Sequence, residues 1–176
     1  TVLQSGATSV PGVIRTTLFG NAHTRSGFPG TAELYADLVG GVQGDEDNPV
    51  FFVSSSPWNL YDFLTQFMLA AGLPEGPILL RDYGVDEHKL IAGSHDEHKL
   101  ARIEELADAY PDLGIVLLGD SGQRDPEIYH EVVRRHPGRV KAIYLRDIDP
   151  DRRAAVDAVT LDLATHDVPV VLSDST

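Results

Sequence analysis

The chain has 176 residues, 14 Lys plus Arg against 27 Asp plus Glu, and a net charge of -13. This length predicts a single domain over residues 1–176, because it suffices to bury a core and is short for two domains. The acidic balance argues against nucleic acid as a partner, and the absence of cysteine excludes disulfides, thiolate metal sites and a cysteine nucleophile.

Residues 1–30 lack a helical period and are rich in Gly, Ser and Thr. This composition predicts an irregular flap. A helix is predicted over Thr31–Val39, followed by an acidic loop over Gly40–Pro49. The next helix follows the first strand. Apolar residues recur there at helical spacing, with Ser56 as the expected N-cap, Pro57 as the first helical residue and Gly72 as the stop.

The second half predicts three further helices. Ser94 and Glu97 have capping-box spacing and open a helix that ends near Pro111. The others run from Pro126 to Gly138 and from Arg152 to Ala164. The predicted strands are Val50–Ser54, Ile78–Arg81, Ile115–Gly119, Val140–Leu145 and Val168–Leu172. Because strands and helices alternate, we expect an α/β fold, a Rossmann-like three-layer sandwich with a mainly parallel central sheet.

Hydroxyl side chains follow the first predicted strand. Ser54, Ser55 and Ser56 lie where the strand ends and a helix is expected to start, so hydroxyls and free helix-start N–H groups together suit a phosphate. The alternative for Ser56 alone is ordinary helix capping.

Two carboxylates follow the third predicted strand. Asp120 and Asp125 flank a glycine-containing turn, where paired carboxylates are suited to Mg²⁺. Asp125 has an alternative as a cap, since Pro126 is a natural first helical residue, whereas Asp120 has no such explanation. Because the carboxyl ends of parallel strands share one edge, we expect these residues to converge with the serines.

Lys99 is the candidate cation, because an ammonium early in a helix could neutralise a phosphate, although most lysines are solvated surface residues. His95 and His98 could share a helix face, but no third ligand has zinc-like spacing, which favours solvent-exposed histidines. The string Asp-Glu-His-Lys-Leu occurs at Asp86–Leu90 and again at Asp96–Leu100, too little for a repeat protein.

The order Ser54, Lys99, Asp120, Asp125 resembles the haloacid-dehalogenase superfamily, which transfers phosphoryl groups through an aspartate nucleophile. More narrowly, the chain resembles the actin-patch-associated phosphatidate phosphatase family. The segments that carry this resemblance are Val53–Tyr61, Gly76–Asp82 and Gly119–Tyr129.

The resemblance implies a magnesium-dependent phosphomonoester phosphatase with phosphatidate as the suggested substrate. Ser54 would hydrogen-bond the phosphoryl group beside Ser55 and Ser56. Lys99, rather than Lys89, would offset the charge of the phosphoryl group. Asp120 would bind the metal. Asp125, also placed at the metal, would support a metal-bound water or orient Lys99.

The family's catalytic aspartates are absent, and Thr1 looks like the threonine that closes their motif. The chain is thus interpreted as a fragment. We expect its nucleophile, which would form an aspartyl phosphate, and its first strand to lie upstream. We expect it to be inactive and marginally stable by itself, with Val2–His23 as a flap over the crevice in the intact protein.

Two other functions stay open: a noncatalytic phosphate-binding or interaction domain, and a phosphatase of a soluble metabolite. No segment has the roughly 18 apolar residues that span a bilayer. We therefore expect a cytoplasmic protein with at most peripheral membrane contact. The sequence does not predict an oligomeric state.

Overall fold

The computed structural model describes residues 29–81 and 95–174, which fall into two compact units. The architecture is α/β, with parallel strands in two sheets and connecting helices, as in a Rossmann-like sandwich. This confirms the predicted fold class. Within the described ranges, no helix is long and apolar enough to cross a membrane. The predicted flap, the Ser94 cap and the first Asp-Glu-His-Lys-Leu copy lie outside the described residues.

The unit of residues 29–81 contains two helices and a two-stranded parallel sheet. Its elements are α1 (Thr31–Gly40), β1 (Phe52–Pro57), a 3₁₀ turn (Trp58–Leu60), α2 (Tyr61–Ala70) and β2 (Ile78–Arg81). In the sheet, Phe52 pairs with Ile78 and Val53 with Leu79. The side chains of Tyr35, Phe67 and Met68 are among those buried in this unit.

The start of α2 differs from the prediction. Strand β1 continues through Pro57, which has an extended backbone, and the α-helix begins at Tyr61 after the 3₁₀ turn. Ser56 makes no capping bond, so its predicted N-cap role is wrong. The physical reason is that Pro57 is itself extended, with ψ of 150°, so the helical backbone begins only at Trp58 and Ser56 does not precede it directly.

The end of α2 confirms the predicted stop. Gly72 adopts a left-handed backbone with φ of 69°. Its N–H bonds to the carbonyl of Leu69, and the N–H of Leu73 bonds to the carbonyl of Met68. These two bonds form the Schellman motif, in which glycine at this position satisfies the last helical carbonyls without a Cβ penalty.

The unit of residues 95–174 contains a three-stranded parallel sheet. Its elements are α3 (His95–Ala109), β3 (Ile115–Asp120), α4 (Asp125–Arg135), β4 (Val140–Asp147), a 3₁₀ turn (Pro150–Arg152), α5 (Arg153–Ala164) and β5 (Val170–Asp174). The strand order is β3-β4-β5. Every predicted helix and strand of this region is confirmed, with boundaries that shift by a few residues.

The core of this unit lies between the sheet and its helices. Helix α4 packs against β3 and β4 and contacts α3 and α5. Its Ile128, Tyr129, Val132 and Val133 are buried at helical spacing. The core cluster also contains Leu117, Ile143, Leu145, Val156, Leu163 and Val168. The packing of α4 therefore fixes the start of this helix relative to the end of β3.

Candidate functional site

The carboxyl end of β3 brings two acidic residues together. Asp120 is the last residue of β3 and is 4% exposed, and Asp125 is the first residue of α4 and is 3% exposed. A turn of four residues joins them. In parallel α/β sheets this edge is the usual place for a ligand crevice.

Lys99, in the first turns of α3, reaches this acidic pair. Its Nζ lies 2.5 Å from Oδ1 of Asp125 and donates to Oε1 of Gln123 at 3.2 Å. Oδ2 of Asp125 accepts the backbone N–H of Asp120 at 3.2 Å. One carboxylate thus joins the lysine to the end of β3. The predicted convergence of Lys99, Asp120 and Asp125 is present in the structure.

Asp125 has no role as a helix cap. It lies inside the helix as the first residue, and both carboxylate oxygens are engaged with groups outside α4. The capping explanation that the sequence left open is therefore wrong. The burial of a Lys–Asp pair, with side chains 14% and 5% exposed, requires that each charge keeps its partner.

The carboxyl group of Asp120 lies in an environment that disfavours its charge. Burial raises its pKa above the usual range, and the nearby Asp125 carboxylate adds to that effect. The ammonium of Lys99 and the N–H of Gly122, which lies 2.9 Å from Oδ1, act in the opposite direction. A buried carboxylate with an elevated pKa is stabilised by a bound cation.

Two glycines make this close arrangement possible. A Cβ atom on Gly119 would lie 2.6 Å from Oδ2 of Asp125 and 2.7 Å from the hydroxyl of Tyr129. A Cβ atom on Gly122 would lie 2.8 Å from the side chain of Ile148. Any side chain at either position would displace a neighbour. The glycines thus allow the backbone to approach the acidic pair.

The predicted serines lie at the carboxyl end of β1, in the other unit. They are half-buried. The Oγ of Ser54 accepts the backbone N–H of Ser56 at 3.1 Å and lies 3.0 Å from the Oγ of Ser56. The 3₁₀ turn that follows carries Trp58, 59% exposed, whose ring centroid lies 4.9 Å from that of Tyr61. The convergence of these serines with Asp120 stays a prediction.

Sequence reasoning missed three residues at the β3 edge. Gln123 contacts Lys99, Ser121 is fully buried beside Asp120, and Arg146 pairs in register with Asp120 on the neighbouring strand. Burial lowers the pKa of Arg146. The signal for Arg146 was a charged residue at the end of an apolar strand, which is also the kind of position that Asp120 occupies.

The residues present fit a magnesium site with few protein ligands. Among the residues that the structure describes, no group of three His, Cys, Asp or Glu side chains could hold a metal. Mg²⁺ is commonly bound by one or two carboxylates together with substrate phosphates and water. Asp120, a buried carboxylate whose pKa is raised by burial, matches that pattern, and the arrangement does not resemble a zinc site.

The fold and this site define an α/β protein with a lysine-paired acidic cluster at the carboxyl edge of a parallel sheet. Comparison with known families specifies it further. The family model described as "Phosphatidate phosphatase APP1, catalytic domain" matches residues 1–147. The chain therefore belongs to this family, which confirms the resemblance seen in the sequence.

Two fungal relatives are similar to the chain over part of its length. It is 33% identical over 100 residues to Phosphatidate phosphatase APP1 of Saccharomyces cerevisiae, covering 57% of this chain and 17% of that protein. It is 34% identical over 106 residues to uncharacterized protein C29B5.04c of Schizosaccharomyces pombe, covering 58% and 17%. The matches thus span about a sixth of each relative. No solved structure matches the chain.

Proposed function

We propose that this chain carries part of the catalytic site of a magnesium-dependent phosphomonoester phosphatase, with phosphatidate as its substrate. The observation that carries the proposal is a pair of contacts in a member of this family. Lys99 donates to Asp125, and Asp125 accepts the backbone N–H of Asp120. The substrate is inferred from the names of the family and of the yeast relative. The proposed reaction follows the haloacid-dehalogenase pattern, with an aspartate as nucleophile.

Lys99 is proposed to bind a phosphoryl oxygen. An ammonium group has three N–H donors, and in the described part of the chain Lys99 donates to two acceptors, Asp125 and Gln123. The third donor is available for a substrate oxygen. Because Asp125 holds the ammonium at 2.5 Å, little reorganisation is needed when charge develops on the phosphoryl group.

Asp120 is proposed as the residue that holds Mg²⁺, and Asp125 as the residue that orients Lys99. The contacts of both Asp125 oxygens favour this second role over the support of a metal-bound water. When bound, Mg²⁺ supplies Lewis-acid neutralisation of phosphoryl oxygens. Ser54, Ser55 and Ser56 are proposed to donate hydrogen bonds to the same group.

The test is phosphate release from phosphatidate by the full-length gene product, with Mg²⁺ and with EDTA. The Asp120→Asn variant is compared with Asp112→Asn, which changes an exposed aspartate in the loop before β3. We expect release that requires both the metal and Asp120, with a loss of at least about a hundredfold in Asp120→Asn. The Asp112→Asn variant should match the wild type.

A second substrate separates the alternatives that the sequence left open. Release from p-nitrophenyl phosphate but not from phosphatidate would indicate a phosphatase of a soluble substrate. Release from neither substrate, by a folded protein with bound Mg²⁺, would contradict the catalytic proposal and favour a noncatalytic phosphate-binding domain.

A further inference from the structure

Ser121 stands out among the residues of the β3 edge because it is completely buried and follows Asp120 directly. A serine hydroxyl offers one donor and two acceptor positions. Buried polar groups are costly unless these positions are filled. The partners of Ser121 therefore indicate what the residue holds in place.

All three positions of the hydroxyl are filled from one segment, which comprises the last residue of β4 and the start of the connection to α5. The Oγ of Ser121 donates to Oδ1 of Asp147 at 2.9 Å. It accepts the backbone N–H of Ile148 at 2.8 Å and that of Asp149 at 3.1 Å. One side chain thereby ties the turn after β3 to the turn after β4.

The backbone of Ser121 is held from the same side. Its N–H donates to the carbonyl of Arg146 at 2.9 Å, which extends the ladder between β3 and β4. Its carbonyl accepts from the guanidinium of Arg152 at 3.1 Å, and Arg152 also forms an ion pair with Glu127 of α4. Every hydrogen-bonding group of Ser121 thus has a partner.

The acceptor Asp147 is itself fixed. Its Oδ2 accepts from the guanidinium of Arg153 at 2.6 Å, while Oδ1 accepts from Ser121. The hydroxyl of Ser121 and then Arg153 lower the pKa of this carboxyl group. Asp147 therefore stays ionised at neutral pH and remains a strong acceptor for the buried hydroxyl.

Asp120 has little freedom apart from this network. Its Oδ1 accepts the backbone N–H of Gly122, so the direction of the carboxylate depends on the backbone of the turn that contains Ser121. Packing alone does not require a hydroxyl at position 121, since alanine has nearly the same volume. The hydroxyl therefore serves to fix the turn.

We propose that Ser121 is a positioning residue that holds the Asp120 carboxylate in its metal-binding direction by anchoring the 120–124 turn to Asp147 and the β4–α5 connection. This inference rests on the proposed function for the identity of the ligand. The geometric part, that Ser121 orders the turn, is independent of any reaction.

The test compares Ser121→Ala, Asp147→Asn and the control Asp157→Asn in the full-length gene product. Asp157 also contacts Arg153, at 3.1 Å, but has no contact with Ser121 among the described bonds. Two quantities are measured without substrate. One is the hydrogen exchange of a peptide covering residues 119–124, and the other is Mn²⁺ binding followed by electron paramagnetic resonance.

We expect Ser121→Ala to speed exchange of the 119–124 peptide and to weaken Mn²⁺ binding, each by about tenfold or more, because three hydrogen bonds are lost at one turn. Asp147→Asn should have a smaller effect in the same direction. Exchange of the core of α4, residues 128–133, should not change in either variant. Asp157→Asn should match the wild type in all measurements.

Two results would overturn the inference. One is unchanged turn exchange and Mn²⁺ affinity in Ser121→Ala. The other is an equal rise in exchange across α4, which would assign Ser121 to general stability. If Ser121→Ala does not fold, the same criteria apply to Asp147→Asn. Absence of Mn²⁺ binding in the wild type would contradict the proposed metal site, and the exchange measurement would still decide the ordering role.

Discussion

The carboxyl ends of β3 and β1 both collect polar side chains, but they do so in different ways. At β3, Asp120, Ser121 and Asp125 are each less than 5% exposed and bonded in a network that reaches α3 and the β4–α5 connection. At β1, Ser54 and Ser56 are half-buried and bond to each other. Buried charges require fixed partners, whereas hydroxyls near the surface can bond to water.

The two polar clusters therefore differ in how they are held. At the β3 end the carboxylate of Asp125 bonds to Lys99 and to the backbone of Asp120, so the protein's own groups fix these positions. At the β1 end the hydroxyls of Ser54 and Ser56 are half-buried and bond to each other, so a phosphate could reorient them. Four variants test this difference, in order of decreasing size of the effect that we expect.

Lys99→Met should have the largest effect, because it leaves the buried Asp125 carboxylate without its ammonium partner. We expect a loss of about 3 kcal/mol in the free energy of unfolding and a decrease in phosphate release of at least about a hundredfold. Urea denaturation and the phosphate assay measure these changes. The control is Arg102→Met on the same helix, whose pair with Glu105 is exposed and should contribute about 0–1 kcal/mol. Equal losses of unfolding free energy and of phosphate release in both variants would show that the buried pair of Lys99 and Asp125 contributes no more than an exposed ion pair.

Asp120→Asn should stabilise the metal-free protein at neutral pH although it abolishes activity. The pKa of Asp120 is raised in the folded state, so its ionisation opposes folding as pH rises above the ordinary aspartate value. The asparagine Oδ1 can still accept from Gly122. The difference in unfolding free energy between variant and wild type should therefore grow in favour of the variant as pH rises above about 4. Urea denaturation in EDTA measures it, and a difference of opposite sign would contradict the burial argument.

Ser54→Ala should affect activity more than stability. The hydroxyl bonds to the neighbouring Ser56, so its removal should cost no more than about 1 kcal/mol in unfolding free energy. Phosphate release should decrease by about tenfold if the hydroxyl binds the phosphoryl group. Thr65→Ala is the matched control, because its hydroxyl bonds to the carbonyl of Tyr61 on the exposed side of α2. A stability loss without an activity loss would remove Ser54 from the site.

Glu131→Gln should have the smallest effect. Arg134 and Arg135 lower the pKa of Glu131 to about 2, so the stabilisation is present above the ordinary glutamate pKa and is lost as pH falls through about 2. Because these groups are on the surface, salt should screen the effect. We expect a small decrease in thermal stability at neutral pH and low salt, none at high salt, and unchanged phosphate release. A change in phosphate release would connect this surface cluster to the β3 end.

Much of the fold could be predicted from the sequence because apolar periodicity is strong in this chain. The stripe on α4 and the buried strand β3 are examples, and both were placed within a few residues. The start of α2 was misplaced because Ser56-Pro57 has the composition of a helix start. In the structure, Pro57 itself has an extended backbone, which prolongs the strand and moves the start of the helix beyond Ser56.

A residue of the candidate site could be predicted from the sequence where its side-chain type is unusual for its structural position. Asp120 after an apolar strand has no simple structural explanation, so its sequence context was informative. Ser121 was not predictable, because serine is common in turns and its importance depends on Asp147 and the backbone of Ile148, which lie 26 and 27 residues away. Long-range bonds of this kind leave no local pattern.

The position of Trp58 gives the β1 end a built-in optical reporter. It is the one tryptophan in these 176 residues, it is 59% exposed, and its ring contacts that of Tyr61 at an interplanar angle of 35°, directly after the serine segment. Indole emission shifts with the polarity of its surroundings, so fluorescence of this chain should follow changes near β1 without a label. The β3 end contains no such fluorophore within the chain, so its state has to be followed by other means.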